Sequence, residues 1–350
     1  MSARDAGFAV TTDKTTVVRR IGVLGCGRIG RMHANILATQ VPGFEVVAVA
    51  DVVPAAAEAV AAATGARVSA IDELIDAEDI DTVAICTSTD THVELVVKAA
   101  AAGKAIFCEK PVSLDIGLVD TALAAVEQAG VPFMIGFNRR FDPGHKSVRD
   151  AVTGGTVGDI HLLRVTSRDP APPPPEYVAV SGGIFLDMMI HDFDMARYVV
   201  GSDVVSVYAT GAVRVDPRIG EAGDIDTAIA VLTHADGTIT TIDNSREAVY
   251  GYDQRVEAFG SGGMAVSDNQ PVHHGWSMTR ESRGAQPLAW FFLDRYMESY
   301  RAEWRAFHAY LADGGPSPAG VDAARACTLA ALAATRSWRE GRPVRTDEIG

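Results

Sequence analysis

The stretch Val17-Val18-Arg19-Arg20-Ile21-Gly22-Val23-Leu24-Gly25-Cys26-Gly27-Arg28-Ile29-Gly30 decides how the chain folds. Val17 to Leu24 is a short apolar run of strand type, and it ends in glycines spaced GxGxxG. A helical pattern follows, marked by Met32, Ile36 and Leu37. Strand, glycine turn and helix in that order are the context a dinucleotide-binding fingerprint needs. Gly25 permits the tight turn, Gly27 lets the backbone approach a pyrophosphate, and Gly30 lets the helix lie close on the sheet. Phosphates then sit at the helix N-terminus, where free N–H groups and the helix dipole favour anions. A second strand, Phe44 to Ala50, ends at Asp51, 21 residues past Gly30. A carboxylate there hydrogen-bonds the ribose hydroxyls of NAD and repels the extra phosphate of NADP.

The alternation continues outward from this unit. Pro54 to Ala63, Ile71 to Asp76, His92 to Ala102 and Leu114 to Ala129 read as helices. Thr82 to Cys86, Ala105 to Cys108 and Phe133 to Gly136 read as strands. The pattern is that of a doubly wound parallel sheet. Thr87, Ser88 and Thr89 follow one strand and Glu109, Lys110 and Pro111 follow the next. Ligands of such sheets bind outside the carboxyl ends of the strands. Lys110 therefore suits holding a substrate hydroxyl or a developing alkoxide, against the competing reading of a solvated lysine.

After Phe137 to Phe141 the character changes. His145 to Val152 is a helix, Ile160 to Arg168 is β-like, and Pro170 to Pro175 is an extended loop. That loop is a wall, a lid or a plain connector, and it leads to Tyr177 and Ser181. The next stretch, Gly182 to Asp194, reads as a glycine turn running into one helix with Asp187, His191 and Asp194 on one face. Polar groups with proton chemistry on an apolar helix are costly unless paired or used. A histidine beside carboxylates suits a general base, and buried hydrogen bonding is the bland alternative. Beyond Gly201, alternating strands at Val204–Val215, Thr227–His234, Gly237–Ser245, Gln254–Gly260 and Met264–Ser267 predict an antiparallel sheet, open enough to be a subunit interface. Two amphipathic helices, Phe291 to Leu311 and Asp322 to Arg339, close the chain.

The expected fold class is α/β: an N-terminal Rossmann doubly wound parallel sheet plus a C-terminal α+β domain with a large open, mainly antiparallel sheet. The expected division is a disordered extension over 1–18, an NAD-binding domain over 19–138, and a substrate-binding and oligomerisation domain over 139–350. A net charge of -14 argues against nucleic acid or an acidic membrane surface as partner. The four cysteines, Cys26, Cys86, Cys108 and Cys327, are scattered, which argues against zinc and a disulfide framework. His273-His274 lacks supporting ligand spacing, so no metal is expected. No uncharged apolar run is of bilayer length and the N-terminus lacks signal-peptide order, so the expected location is cytoplasmic.

Several of these motifs converge. Gly25-Cys-Gly-Arg-Ile-Gly30-Arg-Met-His33, Glu109-Lys110-Pro111, and Gly182-Gly183 through Asp187, His191 and Asp194 resemble the glucose–fructose oxidoreductase/inositol dehydrogenase family. Ile106 to Asp115, Gly136 to Asp142, Ile242 to Arg246 and Tyr250 to Arg255 extend the likeness, from about Arg20 to about Arg305. The resemblance implies NAD-dependent oxidation of a secondary alcohol of a cyclic polyol, myo-inositol to 2-keto-myo-inositol first. A pyranose, an anhydrosugar or another inositol isomer is the alternative within the family. It implies a catalytic group of Lys110, Asp187 and His191, with His191 as base, Asp187 orienting it, and Lys110 on the same oxygen. It implies NAD contacts from Gly25, Gly27, Arg28, Ile29, Asp51, Thr87, Ser88, Thr89, His92, Glu109 and Lys110. Asn138, Arg139, Tyr252 and Trp276 join Lys110, Asp187 and His191 as substrate-pocket residues on the same ground, and a homotetramer is the implied assembly. Two readings from other classes compete: a metal-dependent hydrolase or lyase using Asp187, His191 and Asp194, and a catalytically idle NAD-binding sensor.

Overall fold

A computed structural model describes residues 17–273 and 275–350. The expected disordered extension lies outside the described residues as far as position 16, and His274 of the histidine pair lies outside them too. The first body alternates as expected. Its strands are β1 (Arg19–Leu24), β2 (Phe44–Ala50), β3 (Arg67–Val68), β4 (Thr82–Ile85), β5 (Ala105–Cys108) and β6 (Phe133–Ile135). Its helices are α1 (Arg28–Thr39), α2 (Pro54–Thr64), α3 (Ile71–Asp76), α4 (Thr89–Ala101) and α5 (Ile116–Ala129). The strands pair in parallel in the order β3-β2-β1-β4-β5-β6. This order reverses direction beside β1, which leaves a crevice at the carboxyl ends of β1 and β4. Helices cover both faces, so the central strands are apolar without alternation: the last four residues of β1 and all of β4 and β5 are buried.

A 3-10 turn at Asn138–Phe141 leads into the second body. It contains α6 (Pro143–Thr153), β7 (Ile160–Arg168), α7 (Pro175–Val178), α8 (Gly183–Asp187) and α9 (Ile190–Val200). Next come β8 (Val204–Ala212), α10 (Pro217–Glu221), β9 (Thr227–His234), β10 (Ile239–Ser245), β11 (Asp253–Gly260) and β12 (Gly263–Ser267). A small hairpin of β13 (Trp276–Met278) and β14 (Arg283–Ala285) precedes α11 (Phe292–Asp313), α12 (Val321–Glu340) and β15 (Val344–Arg345). The large sheet runs β12-β11-β7-β10-β9-β8-β15. All its pairings are antiparallel except β7 with β10. Here burial does alternate: Ala228, Ala230, Leu232 and His234 of β9 face the core, and the residues between them face out.

One expected element is broken. The single helix of Gly182 to Asp194 is two, α8 and α9, separated at Met188 and Met189. Gly182 and Gly183 enter it with φ of +84° and +80°, which suits glycine alone. Met188 and Met189 are both buried in the second core, so tertiary packing makes a corner where neither glycine nor proline stands. Asp187 and His191 therefore belong to different helices, and the shared-face argument does not hold.

The chain also returns to where it began. Tyr296, Tyr300, Trp304 and Phe307 of α11 pack in the first core, as do Ala323, Ala324 and Cys327 of α12. Further along the same helix, Ala330, Ala331, Ala333 and Ala334 pack in the second core. Among the described residues no helix is long and apolar enough to cross a membrane.

Candidate functional site

The glycine turn has the geometry that a pyrophosphate loop needs. Gly25 sits at φ +91°, and a Cβ there would meet Cys86 O at 2.6 Å. A Cβ on Gly30 would lie 1.8 Å from Gly25 O, so helix and turn touch at the backbone. A Cβ on Gly27 would meet nothing within 4 Å, which leaves its outer side open to a ligand. The first turn of α1 has no acidic residue and no side-chain cap, so its amides are available to an anion. Asp51 Oδ2 accepts from Cys26 N at 2.6 Å and Oδ1 from Val53 N at 2.7 Å, which fixes the carboxylate at the end of β2. Arg28 lies exposed on the rim beside the Phe291 ring. These residues fit a dinucleotide with a ribose diol on Asp51.

The strand-end loops complete the crevice. Thr87 and Ser88 follow β4, Thr89 begins α4, and Thr91 Oγ1 donates to Thr87 Oγ1 at 2.7 Å. His92 is buried: Nδ1 lies 2.8 Å from Pro111 O and Nε2 3.1 Å from Thr87 O. It braces the two loops through its ring nitrogens. Glu109 Oε1 lies 2.8 Å from His33 Nε2, and Trp304 Nε1 donates to His33 Nδ1 at 2.8 Å. Indole N–H only donates, so His33 Nδ1 accepts and Nε2–H donates to Glu109.

Lys110 reaches across to the second body. Its Nζ donates to Asp187 O at 2.7 Å and lies 3.7 Å from Asp187 Oδ1. The Asp187 carboxylate has two further partners: Tyr177 OH donates to Oδ1 at 2.8 Å and Arg246 Nη1 to Oδ2 at 3.2 Å. Arg246 is 1% exposed and also faces Asp224. His191 is not among the hydrogen-bond partners of Asp187, so orientation of the histidine by this carboxylate is corrected: its oxygens face Lys110, Tyr177 and Arg246. Among the described residues His191 Nδ1 is buried without a partner, which leaves Nε2 as the nitrogen available to a ligand. Burial, with the charges of Arg139 and Lys110, holds the His191 pKa well below its ordinary value. The imidazole is therefore neutral and able to accept a proton at neutral pH.

Behind His191 lies a buried polar network. Arg139 Nη1 donates to Asp192 Oδ1 at 2.6 Å and to Ser167 Oγ at 3.0 Å, and Nη2 lies 3.4 Å from Tyr252 OH. Asn244 Nδ2 donates to Asp192 Oδ2 at 2.8 Å. Burial pushes Asp192 up to about 6 in spite of Arg139. Asp169, at the end of β7, is likewise pushed up to about 6 by burial. Asn138 is buried next to Arg139, and its Nδ2 has no partner among the described residues. Asp194 is elsewhere. Both its oxygens accept from Arg140, with Nε to Oδ2 at 2.8 Å, and its side chain is 1% exposed. The trio of Asp187, His191 and Asp194 is thus not one constellation, which removes the ligand set of the hydrolase reading.

Trp276 is placed apart from the others. It stands 58% exposed on the β13–β14 hairpin with Arg283 over its ring. Asp169, Asp192, Arg246 and His33 carry no role that the sequence alone assigns, and Tyr177 stands there only at the end of a loop. Asp192 carried a signal, a carboxylate adjacent to the proposed base. Arg246 and His33 lay inside quoted motifs without a role.

Comparison with known proteins agrees with this geometry. Residues 19–137 match a family described as oxidoreductase family, NAD-binding Rossmann fold, and residues 145–266 match the GFO/IDH/MocA C-terminal domain. The inositol 2-dehydrogenase of Rhizobium meliloti (strain 1021) is 47% identical over 326 residues, 93% of this chain and 98% of that protein. The crystal structure of a myo-inositol dehydrogenase from Corynebacterium glutamicum superposes with TM-score 0.90 at 40% identity, covering 94% of this chain and 99% of that one. A scyllo-inositol dehydrogenase from Lactobacillus casei, solved with NAD(H) and scyllo-inositol, superposes with TM-score 0.88 at 30% identity, over 94% and 99% of the two chains. With a cofactor crevice of the right build and matches over both bodies, the chain belongs to the GFO/IDH/MocA family of oxidoreductases and carries its NAD-binding Rossmann domain.

Proposed function

We propose that the protein is an NAD-dependent dehydrogenase that oxidises a secondary alcohol of a cyclic polyol, with myo-inositol going to 2-keto-myo-inositol. The observation that carries this is the meeting of Lys110 with Asp187 beside a neutral His191, at the mouth of the fingerprint crevice. The inositol dehydrogenases among its relatives support the substrate class. NAD, when bound, supplies the acceptor for the hydride. His191 Nε2 takes the hydroxyl proton. Lys110 holds the same oxygen and stabilises the charge that develops there. Asp187 holds Lys110 through its backbone carbonyl and carboxylate, and the Arg139 network fixes the floor behind His191.

The remaining assignments follow. Gly25, Gly27, Arg28, Ile29, Asp51, Thr87, Ser88, Thr89 and Glu109 line the cofactor side; Asn138, Arg139, Tyr252 and Asp169 line the polyol side. We place the domain division at residue 138, with α11 and the start of α12 packing back into the first core. The open face of the large sheet suits the contacts of a homotetramer. It exposes Tyr208, Ile229, Ile239, Phe259, Met264 and Val266, and carries the opposed pairs Arg164–Glu257 and Arg168–Asp243. A cytoplasmic location is in keeping with four unpaired cysteines. The test is formation of reduced nicotinamide from NAD with myo-inositol, scyllo-inositol, glucose and levoglucosan, repeated with NADP. Turnover of a sugar alone overturns the substrate and keeps the chemistry, and absence of turnover with NAD binding intact favours the sensor.

A further inference from the structure

The segment from Pro170 to Gly182 has no part in the chemistry above, yet it delivers a side chain onto the catalytic carboxylate. Pro170 and Pro172 to Pro175 fix φ along the approach. Val178 of α7 is buried at 3% exposed, while Tyr177 beside it is 48% exposed. The Tyr177 hydroxyl nevertheless lies inward, 2.8 Å from Asp187 Oδ1. Lys110 Nζ stands 3.7 Å from the same oxygen, and Arg246 takes the other at 3.2 Å. Asp187 Oδ1 thus stands between Lys110 Nζ and Tyr177 OH as a neighbour of both.

We propose that Tyr177 is a specificity-determining residue, whose hydroxyl, shared with Asp187 Oδ1, binds the substrate hydroxyl on the carbon next to the one oxidised. The proposal rests on the roles given above to Lys110 and Asp187. A cyclic polyol carries hydroxyls on adjacent carbons, each both donor and acceptor. When one is held by Lys110, its neighbour falls beside Oδ1 and the phenol. Tyr177 spends its proton on Asp187 and keeps its lone pairs to accept from that neighbour. A substrate lacking the second hydroxyl leaves these groups without a partner, and sites built to hydrogen-bond a hydroxyl discriminate against its absence.

The experiment compares the wild type with Tyr177→Phe on myo-inositol and on a deoxyinositol lacking the hydroxyl next to the oxidised carbon. Tyr177→Phe raises KM for the full polyol by about tenfold and leaves kcat within about threefold. KM for NAD does not move, because the hydrogen bond removed is one to Asp187. The preference in kcat/KM for polyol over deoxy analogue shrinks in the variant. A preference unchanged between the two proteins, with the wild type active, overturns the role of Tyr177 alone. A wild type that oxidises no cyclic polyol overturns the functional reading, and this proposal with it.

Discussion

Asp187 and Asp194 lie seven residues apart in one motif, and substituting each in turn separates catalysis from architecture. Asp194 accepts three hydrogen bonds from Arg140, is 1% exposed, and leaves Arg140 a buried cation when neutralised. Removing one partner of a buried pair costs about 3–5 kcal/mol. Unfolding entropy near 60 °C is roughly 2.1 cal/mol/K per residue, so a chain of 350 residues has about 0.7 kcal/mol/K in all. The expected loss in melting temperature for Asp194→Asn is therefore about 4–7 °C. Its kcat with NAD and polyol stays within about threefold, since nothing at the Lys110–His191 cleft has changed. Asp187→Asn does the reverse. It weakens the hold on Lys110 and lowers kcat by about 100-fold, with a smaller thermal shift because Arg246 keeps Asp224. Calorimetry and steady-state kinetics on the same preparations check both. A melting temperature unmoved in Asp194→Asn together with a 100-fold loss of kcat would refute the division of labour.

Other outcomes follow from the same geometry. Gly30→Ala drives a Cβ to 1.8 Å from Gly25 O, so the turn shifts and affinity for NADH, read by fluorescence titration, falls at least about tenfold. Asp51→Asn keeps an acceptor for Cys26 N but removes the charge that repels a 2′-phosphate, so the NAD to NADP ratio of kcat/KM drops by about tenfold. The pKa of His191 is depressed, so its basic form is complete at neutral pH and is lost only as pH falls through that low value. The rate profile accordingly lacks a step near the usual histidine range and declines on the acid side. Lys110→Met removes one depressing charge, and the His191 ionisation followed by NMR moves to higher pH, whereas an unmoved value contradicts the proximity of the two.

The first body was legible because its central strands are buried on both faces. Continuous apolar runs such as Ile21 to Leu24 or Ala105 to Cys108, punctuated by glycine, admit few other readings. The corner at Met188 and Met189 was illegible, since both residues favour a helix and only packing in the second core turns the chain there. That corner misled the site reading: helical spacing selected Asp194, while the fold takes Asp192 into the network behind His191. Arg246 and Asp187 are 59 positions apart, and Trp304 and His33 are 271 apart. Pairings at such separations carry no local signal, so the groups around the lysine emerge only from the folded chain. The parallel pairing of β7 with β10 is of the same kind, hidden among strands whose turns suggest hairpins.

The path of α12 has a mechanical consequence. Its first turns are set among the side chains of one core and its later turns among those of the other, with alanines in both. A 20-residue helix clamped at both ends acts as a splint, about 30 Å long, across the seam where a hinge would otherwise operate. Opening the cleft by swinging the two halves apart would tear alanine faces from tightly packed surroundings. Passage of substrate then falls to whatever can move without bending the splint.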